Sequence, residues 1–308
     1  MARVFLMSPP PPGWRITGGA NYKSNARPAV NPRKAMQEWL ALADAVLASG
    51  AEVCVLPPPA PPALLSGLMY TANAGWLVTA DRFEVANLSV GHRKAEQVYL
   101  REVLPGLLGL SVEVSTAVWE GQADMCTLGP SSVILSYGVR SVVESAAEVE
   151  GLLPPGALTQ AARLREPFFH GDTCMDLVET PSGSAWLVFP GAFAAEEEYL
   201  DARAFAEREA EVLEISQGDA LAYACNSLSL GRSLLVPEGL SAELTGRLVA
   251  RGVEPRPLDF GELFGKGGGG PRCLVNELRG LERPPPGTSY REKRGELLDA
   301  VAGYPTAT

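Results

Sequence analysis

The chain is poor in the residues that carry most metal and redox chemistry. Its 308 residues include two histidines and five cysteines. No two cysteines stand in Cys-x-x-Cys spacing, so neither a zinc knuckle nor a dithiol redox centre is indicated, and an odd count fits a reducing compartment better than a disulfide framework. Positive charge is also short. The formal net charge of −10 repels nucleic acid and anionic membrane surfaces, so neither is expected as a partner. No run of about 18 apolar residues occurs, so no membrane-spanning helix is expected. Met1–Met7 runs straight into prolines without the apolar centre of a signal peptide. A cytoplasmic protein is the expectation, with 46% apolar and 20% charged residues in the ordinary globular range.

What the chain has in quantity near its end is glycine. Between Phe264 and Cys273, five of the six residues 265–270 are glycine, and an apolar segment follows from Leu274. Without side chains, such a loop lets a ligand or another backbone approach closely. A thiol at its rim suits a nucleophile that must reach a bound substrate. Taken alone, the stretch reads more readily as a linker followed by a buried cysteine.

The rest of the chain alternates short apolar strands with amphipathic helices, at Pro32–Ser49 and at Lys94–Leu104, the latter expected to end at Pro105. Polar residues preceding successive strands are Asn73, Asp124, Asp172, Asn226 and Cys273, separated by 51, 48, 54 and 47 residues. A period this regular marks a structural repeat of strands plus one helix. Units so small cannot bury their own apolar faces, so an α/β ring of five units is expected, with the polar positions converging at one end of its axis. The rival is an ordinary doubly wound α/β sheet. Residues 1–278 would form this α/β propeller. Residues 279–308, with Pro284–Pro286 and mixed charges, read as a partly ordered C-terminal tail.

Of the two histidines, His92 has no special context, whereas His170 interrupts an apolar stretch in Phe168-Phe169-His170-Gly171-Asp172. With Cys273 and Glu120 at equivalent places in the repeat, His170 reads as an acid/base oriented by a carboxylate. The motifs Trp119-Glu120-Gly121-Gln122-Ala123-Asp124, His170-Gly171-Asp172 and Gly268-Gly269-Gly270-Pro271-Arg272-Cys273 resemble, in this order and spacing, those of the guanidine-modifying (pentein) superfamily. That group includes arginine deiminases, arginine dihydrolases, dimethylarginine dimethylaminohydrolases and amidinotransferases.

The resemblance implies a fivefold pseudosymmetric α/β propeller (pentein fold) with a central active site and a small guanidino substrate such as arginine. It makes Cys273 the nucleophile, His170 the acid/base and Glu120 its partner. Asp172 would hold the guanidinium with Asp124 nearby, and Arg93 and Arg140 would grip a substrate carboxylate by their bidentate forks. Two departures stand out: Gln122 replaces a glycine, and Asn73 stands where an acidic clamp is usual. Asn73 together with Asn21 resembles the dihydrolase branches. An amide can donate to the C=O of a neutral ureido product, which a carboxylate cannot do.

The expected chemistry is attack of a Cys273 thiolate, its pKa lowered by the cationic substrate or by His170, on the guanidinium carbon. Hydrolysis of the thiouronium would follow, once (deiminase) or twice (dihydrolase). No cofactor or metal is expected, since Cys174, four residues after His170, is the lone candidate pairing for zinc. An amidinotransferase shares the first half-reaction, and a non-catalytic binding protein of the same fold is a further alternative. A homo-oligomer stays open.

Overall fold

The computed structural model describes residues 2–59 and 65–307. Five three-stranded sheets follow one plan. In the second, β3 (Gly75–Thr79) and β4 (Arg82–Val85) form an antiparallel hairpin, and β4 runs parallel to β5 (Ser111–Val114). The third repeats this with β6 (Met125–Gly129), β7 (Ser132–Tyr137) and β8 (Leu158–Arg163). The fourth uses β9 (Met175–Thr180), β10 (Gly183–Val188) and β11 (Glu211–Glu214), and the fifth β12 (Leu228–Leu230), β13 (Ser233–Pro237) and β14 (Glu254–Leu258). The first sheet joins the two ends of the chain: β1 (Val4–Met7) runs parallel to β2 (Glu52–Val55) and antiparallel to β15 (Asn276–Glu277).

Each parallel pair needs a crossover, and a helix supplies it. These are α1 (Pro32–Ala48), α2 (Lys94–Leu108), α3 (Glu144–Leu152), α4 (Glu196–Ala206) and, beyond the short α5 (Gln217–Leu221), α6 (Ala242–Val249). α1 shows why the sequence obeys. The Asn31 side chain caps it by accepting from the Lys34 N–H at 3.0 Å, and Pro32 fits the first turn. Met36, Trp39, Ala43 and Val46 then form one fully buried stripe. Burying each large side chain of this kind stabilises by about 1.5–3 kcal/mol. The first strands of neighbouring sheets touch in sequence around the molecule, β15 with β3, β6 with β9 and β9 with β12. The five units thus encircle a common axis as a fivefold pseudosymmetric α/β fold.

Three local features differ from expectation. α2 continues through Pro105 to Leu108 and stops at Gly109, whose φ is +70°. A proline in the last turn removes a single N–H, and the buried Leu104 and Leu108 hold that turn against the core. The short strands β6, β9 and β12 start directly after polar turns and carry too little alternation to be read as strands. Residues 290–300 form α7 (Tyr290–Ala300), which docks on α1. Tyr290 is fully buried, edge-on to Trp39 at 5.7 Å, with its hydroxyl donating to Asp44 at 3.0 Å.

Candidate active site

The axis is closed by hydrogen bonds from each unit's polar turn to the next. Asn73 Nδ2 donates to the Glu120 carbonyl (2.9 Å), and the Gly171 N–H donates to Asp124 Oδ1 (3.0 Å). Asn226 Nδ2 donates to the Asp172 carbonyl (3.0 Å), the Cys273 N–H to Asn226 Oδ1 (3.1 Å), and the Ala72 N–H to the Cys273 carbonyl (3.1 Å). Buried backbone groups need partners, and short amides and carboxylates supply them here. The turns press together tightly: a Cβ on Gly121, where φ is +69°, would lie 2.6 Å from the Ala72 carbonyl oxygen.

The glycine-rich loop is packed between neighbours. A Cβ on Gly267 would fall 2.0 Å from the Tyr70 hydroxyl oxygen, one on Gly269 2.4 Å from the Tyr70 ring, and one on Gly270 2.9 Å from Asn226 Oδ1. Upstream, Glu38 of α1 accepts from the backbone N–H groups of Glu262 and Leu263 at 2.9 Å each. Burial raises the Glu38 pKa to about 7 despite those two bonds. Asn21 holds the other flank, with Nδ2 donating to the Gly267 carbonyl at 3.0 Å and Oδ1 accepting from the Ser24 N–H at 2.8 Å.

At the end of this loop Cys273 is buried, its Sγ 3.2 Å from Asp172 Oδ2 and 3.0 Å from Asn226 Nδ2. Burial first, and then the charge of Asp172, push the thiol well above its usual pKa, with Asn226 and Arg272 pulling the other way. The protein by itself therefore keeps the thiol protonated, with Asp172 as its acceptor. Asp172 Oδ1 is buried without a hydrogen-bond partner among the described residues.

His170 Nε2 lies 3.4 Å from Glu120 Oε2, and neither ring nitrogen has an aligned hydrogen-bond partner among the described residues. Glu120 is fully buried. Burial works against its charge, yet Arg140, His170 and Arg93 together hold its carboxyl well below the usual range. Its Oε1 accepts from the N–H and hydroxyl of Ser89 (2.8 and 2.7 Å), and Oε2 from Arg140 Nη2 (2.9 Å). It is a fixed anion beside the imidazole.

The remaining residues singled out in the sequence fall into two groups. Asn21, Asn73, Arg93 and Arg140 line one pocket with His170 and Cys273. Both arginines are largely engaged by the protein. Arg93 donates to Glu96 (2.8 and 3.0 Å), Gly67 (3.0 Å) and Asn73 Oδ1 (2.9 Å), which leaves one N–H free. Arg140 donates to Glu120, to the Ala20 carbonyl (2.7 Å) and to Ser89 Oγ (2.8 Å), which leaves two. Asp124 stands behind the pocket. Its oxygens accept from Ser136 (2.6 Å), Gly171 N–H and Ser141 (2.5 Å), so it braces the segments that carry Glu120 and His170. Sequence reasoning missed Ser89, Tyr70 and Glu38. It placed Asn226 in the repeat without giving it a role.

No protein-family model matches the chain. An uncharacterised protein of Caenorhabditis elegans, ZK1307.1, is 27% identical over 252 residues, covering 81% of this chain and 85% of that protein. Among solved structures, the N-terminal domain of ArgZ, an arginine dihydrolase from the ornithine–ammonia cycle in cyanobacteria, superposes with a TM-score of 0.78 at 22% identity. This substrate-bound cysteine-to-serine variant is matched over 90% of this chain and 98% of that one. Whole ArgZ is longer, and this chain spans 42% of it. A dimethylarginine dimethylaminohydrolase superposes with a TM-score of 0.67 at 16% identity, over 90% of this chain and all of the other. Five mixed sheets repeating around one axis, and superposition along nearly the whole length of these proteins, give the chain the fold of the guanidine-modifying (pentein) enzymes.

Proposed function

We propose that this chain hydrolyses the guanidine carbon of arginine or a closely related guanidino compound through a covalent adduct on Cys273, and that it does so twice. The observation that carries the reading is a convergence on one buried spot of residues from different units. A thiol, a histidine beside a fixed carboxylate, and a carboxylate with one oxygen unpartnered meet there.

The local electrostatics suit a cationic substrate. Burial and Asp172 keep the thiol protonated, and a guanidinium donating to Asp172 Oδ1 would cancel that charge and favour the thiolate, the thiol proton leaving through the pocket to solvent. The thiolate then forms an S–C bond to the guanidinium carbon. His170 gives a proton to the departing amine, the C–N bond breaks, and ammonia and a thiouronium result. Neutral His170 next takes a proton from water as that water attacks. The C–S bond breaks and the sulfur leaves as thiolate.

A ureido product remains after one round. Asn73, on the pocket wall, retains one N–H beyond the one given to Glu120, a donor suited to that product's carbonyl. This supports a second round: arginine and two waters give ornithine, carbon dioxide and two ammonia. The similarity to ArgZ supports the same reading. The test is incubation with arginine, agmatine and citrulline, with products read by mass spectrometry and Cys273→Ser as the blank. Ornithine with two ammonia per arginine is expected. Citrulline as the end product would reduce the reaction to one hydrolysis, and product formed only after adding an acceptor amine would make it a transfer. No conversion of any guanidine would refute the proposal.

A further inference from the structure

Asn226 is wholly buried and makes three contacts with its side-chain amide. Oδ1 accepts from the Cys273 backbone N–H at 3.1 Å. Nδ2 donates to the Asp172 backbone carbonyl at 3.0 Å and to Cys273 Sγ at 3.0 Å. The two backbone partners decide which end of the amide is which, because an N–H can only donate and a carbonyl can only accept. Turning the amide over would break both bonds. The group that faces the sulfur is therefore a donor, fixed by its neighbours.

We propose that Asn226 is a catalytic residue: its N–H stabilises the Cys273 thiolate, both as nucleophile and as leaving group. The proposal rests on Cys273 being the nucleophile of the reaction described above. The proton of the amide stays on nitrogen throughout. When the thiol gives up its own proton to solvent, the negative charge forms opposite an N–H already in place, with no reorganisation. As the S–C bond forms, the sulfur lone pair is drawn away and the hydrogen bond slackens. When that bond breaks in hydrolysis, the electron pair returns to sulfur and the hydrogen bond tightens again. Asp172, at 3.2 Å, opposes charge on sulfur, so of these two side chains at hydrogen-bond distance Asn226 is the one that favours it. Its place requires Gly270: any Cβ there would press on Asn226 Oδ1 at 2.9 Å and on the Asn226 carbonyl oxygen at 3.1 Å. The thiol's electrostatic balance agrees, with Asn226 lowering a pKa that burial and Asp172 raise.

The experiment reads the thiol directly, by the rate of Cys273 alkylation with iodoacetamide followed by peptide mass spectrometry. Below the titration midpoint this rate follows the thiolate fraction, so raising the midpoint by about one pH unit slows alkylation about tenfold. Asn226→Asp keeps the shape but replaces the donor by an acceptor, and Asn226→Ala removes the contact. Both are expected to slow alkylation roughly tenfold to hundredfold at fixed pH, the span of one hydrogen bond to a charged group, with the pH profile displaced upwards. Melting temperatures of the same variants show how much of the change is structural. Alkylation at the wild-type rate with an undisplaced profile in both variants, whatever their stability, would overturn the proposal. The assay contains no guanidine, so failure to turn over arginine would count against the proposed reaction and leave this result standing.

Discussion

Asn73→Asp tests the step that separates two hydrolyses from one. In the folded chain Asn73 Nδ2 donates to the Glu120 carbonyl and Oδ1 accepts from Arg93, both at 2.9 Å. Aspartate keeps the Arg93 contact but turns the other oxygen toward a carbonyl, with no proton between them. The lost buried bond costs about 1–3 kcal/mol. Arg93 returns little of this, because Glu96 already pairs with it at 2.8 Å. Function should change in the opposite sense. A carboxylate on the pocket wall favours the cationic guanidinium over the neutral ureido group by about 1.5–3 kcal/mol, roughly tenfold to hundredfold. The assay is single-turnover product analysis by mass spectrometry, starting from arginine and separately from citrulline, with melting temperature as the control for folding. Citrulline should accumulate in the variant and be poorly consumed when supplied. A folded variant that partitions citrulline and ornithine as the wild type does would refute this account of Asn73.

Other consequences are as direct. His170→Ala should leave a covalent adduct on Cys273 that forms slowly and does not resolve, seen as a mass increase on the intact protein; normal turnover would remove His170 from the chemistry. Gly270→Ala should destabilise by about 1–3 kcal/mol in urea unfolding, as overpacking does, because Asn226 and Pro237 stand within 3.1 Å of the new atom. Glu277 predicts an acid limb of the stability profile. Burial opposes its charge, but Arg3 and Arg279 pull its pKa from 4.5 down to about 2. A lowered carboxyl stabilises the fold above pH 4.5, and that contribution of about 3 kcal/mol is lost as pH falls from 4.5 to about 2. Arg3→Gln should therefore unfold more easily than wild type at neutral pH, with the gap narrowing in acid; a gap that does not change with pH would refute it.

Much of the site was legible because the axis makes a demand that sequence records. Turns meeting in a buried centre need short polar side chains at one place in each unit, so Asn73, Asp124, Asp172 and Asn226 stand out at nearly even spacing. The pairing of Glu120 with His170 follows from the same register. What could not be read depends on partners distant in sequence. Nothing around Arg93 says that Glu96 and Gly67 occupy its fork, and nothing around Ser89 says that it caps Glu120. Asp124 has the composition of a substrate ligand, yet three donors from elsewhere in its unit and the next fill its oxygens. The glycine loop suggests mobility in sequence, whereas Tyr70, Asn21 and Asn226 are the large neighbours that its glycines accommodate. The strands β6, β9 and β12 are defined by the hairpin partner that follows each of them and carry little pattern of their own.

The joining of β15 to β1 sets the order in which this molecule can come into being. A chain growing from its N-terminus can pair the strands of its second to fifth sheets while one side of β1 still lacks its neighbour. The segment that fills that side is the one immediately after Cys273. A ribosome must therefore deliver the chain as far as β15 before the thiol is held between Asp172 and Asn226, so a chain that stops short of β15 lacks the assembled cluster. An interrupted product would instead display the bare edge of a buried apolar strand, the kind of surface that invites aggregation and chaperone capture. Closure of the first sheet and assembly of the cluster around Cys273 are thereby tied together.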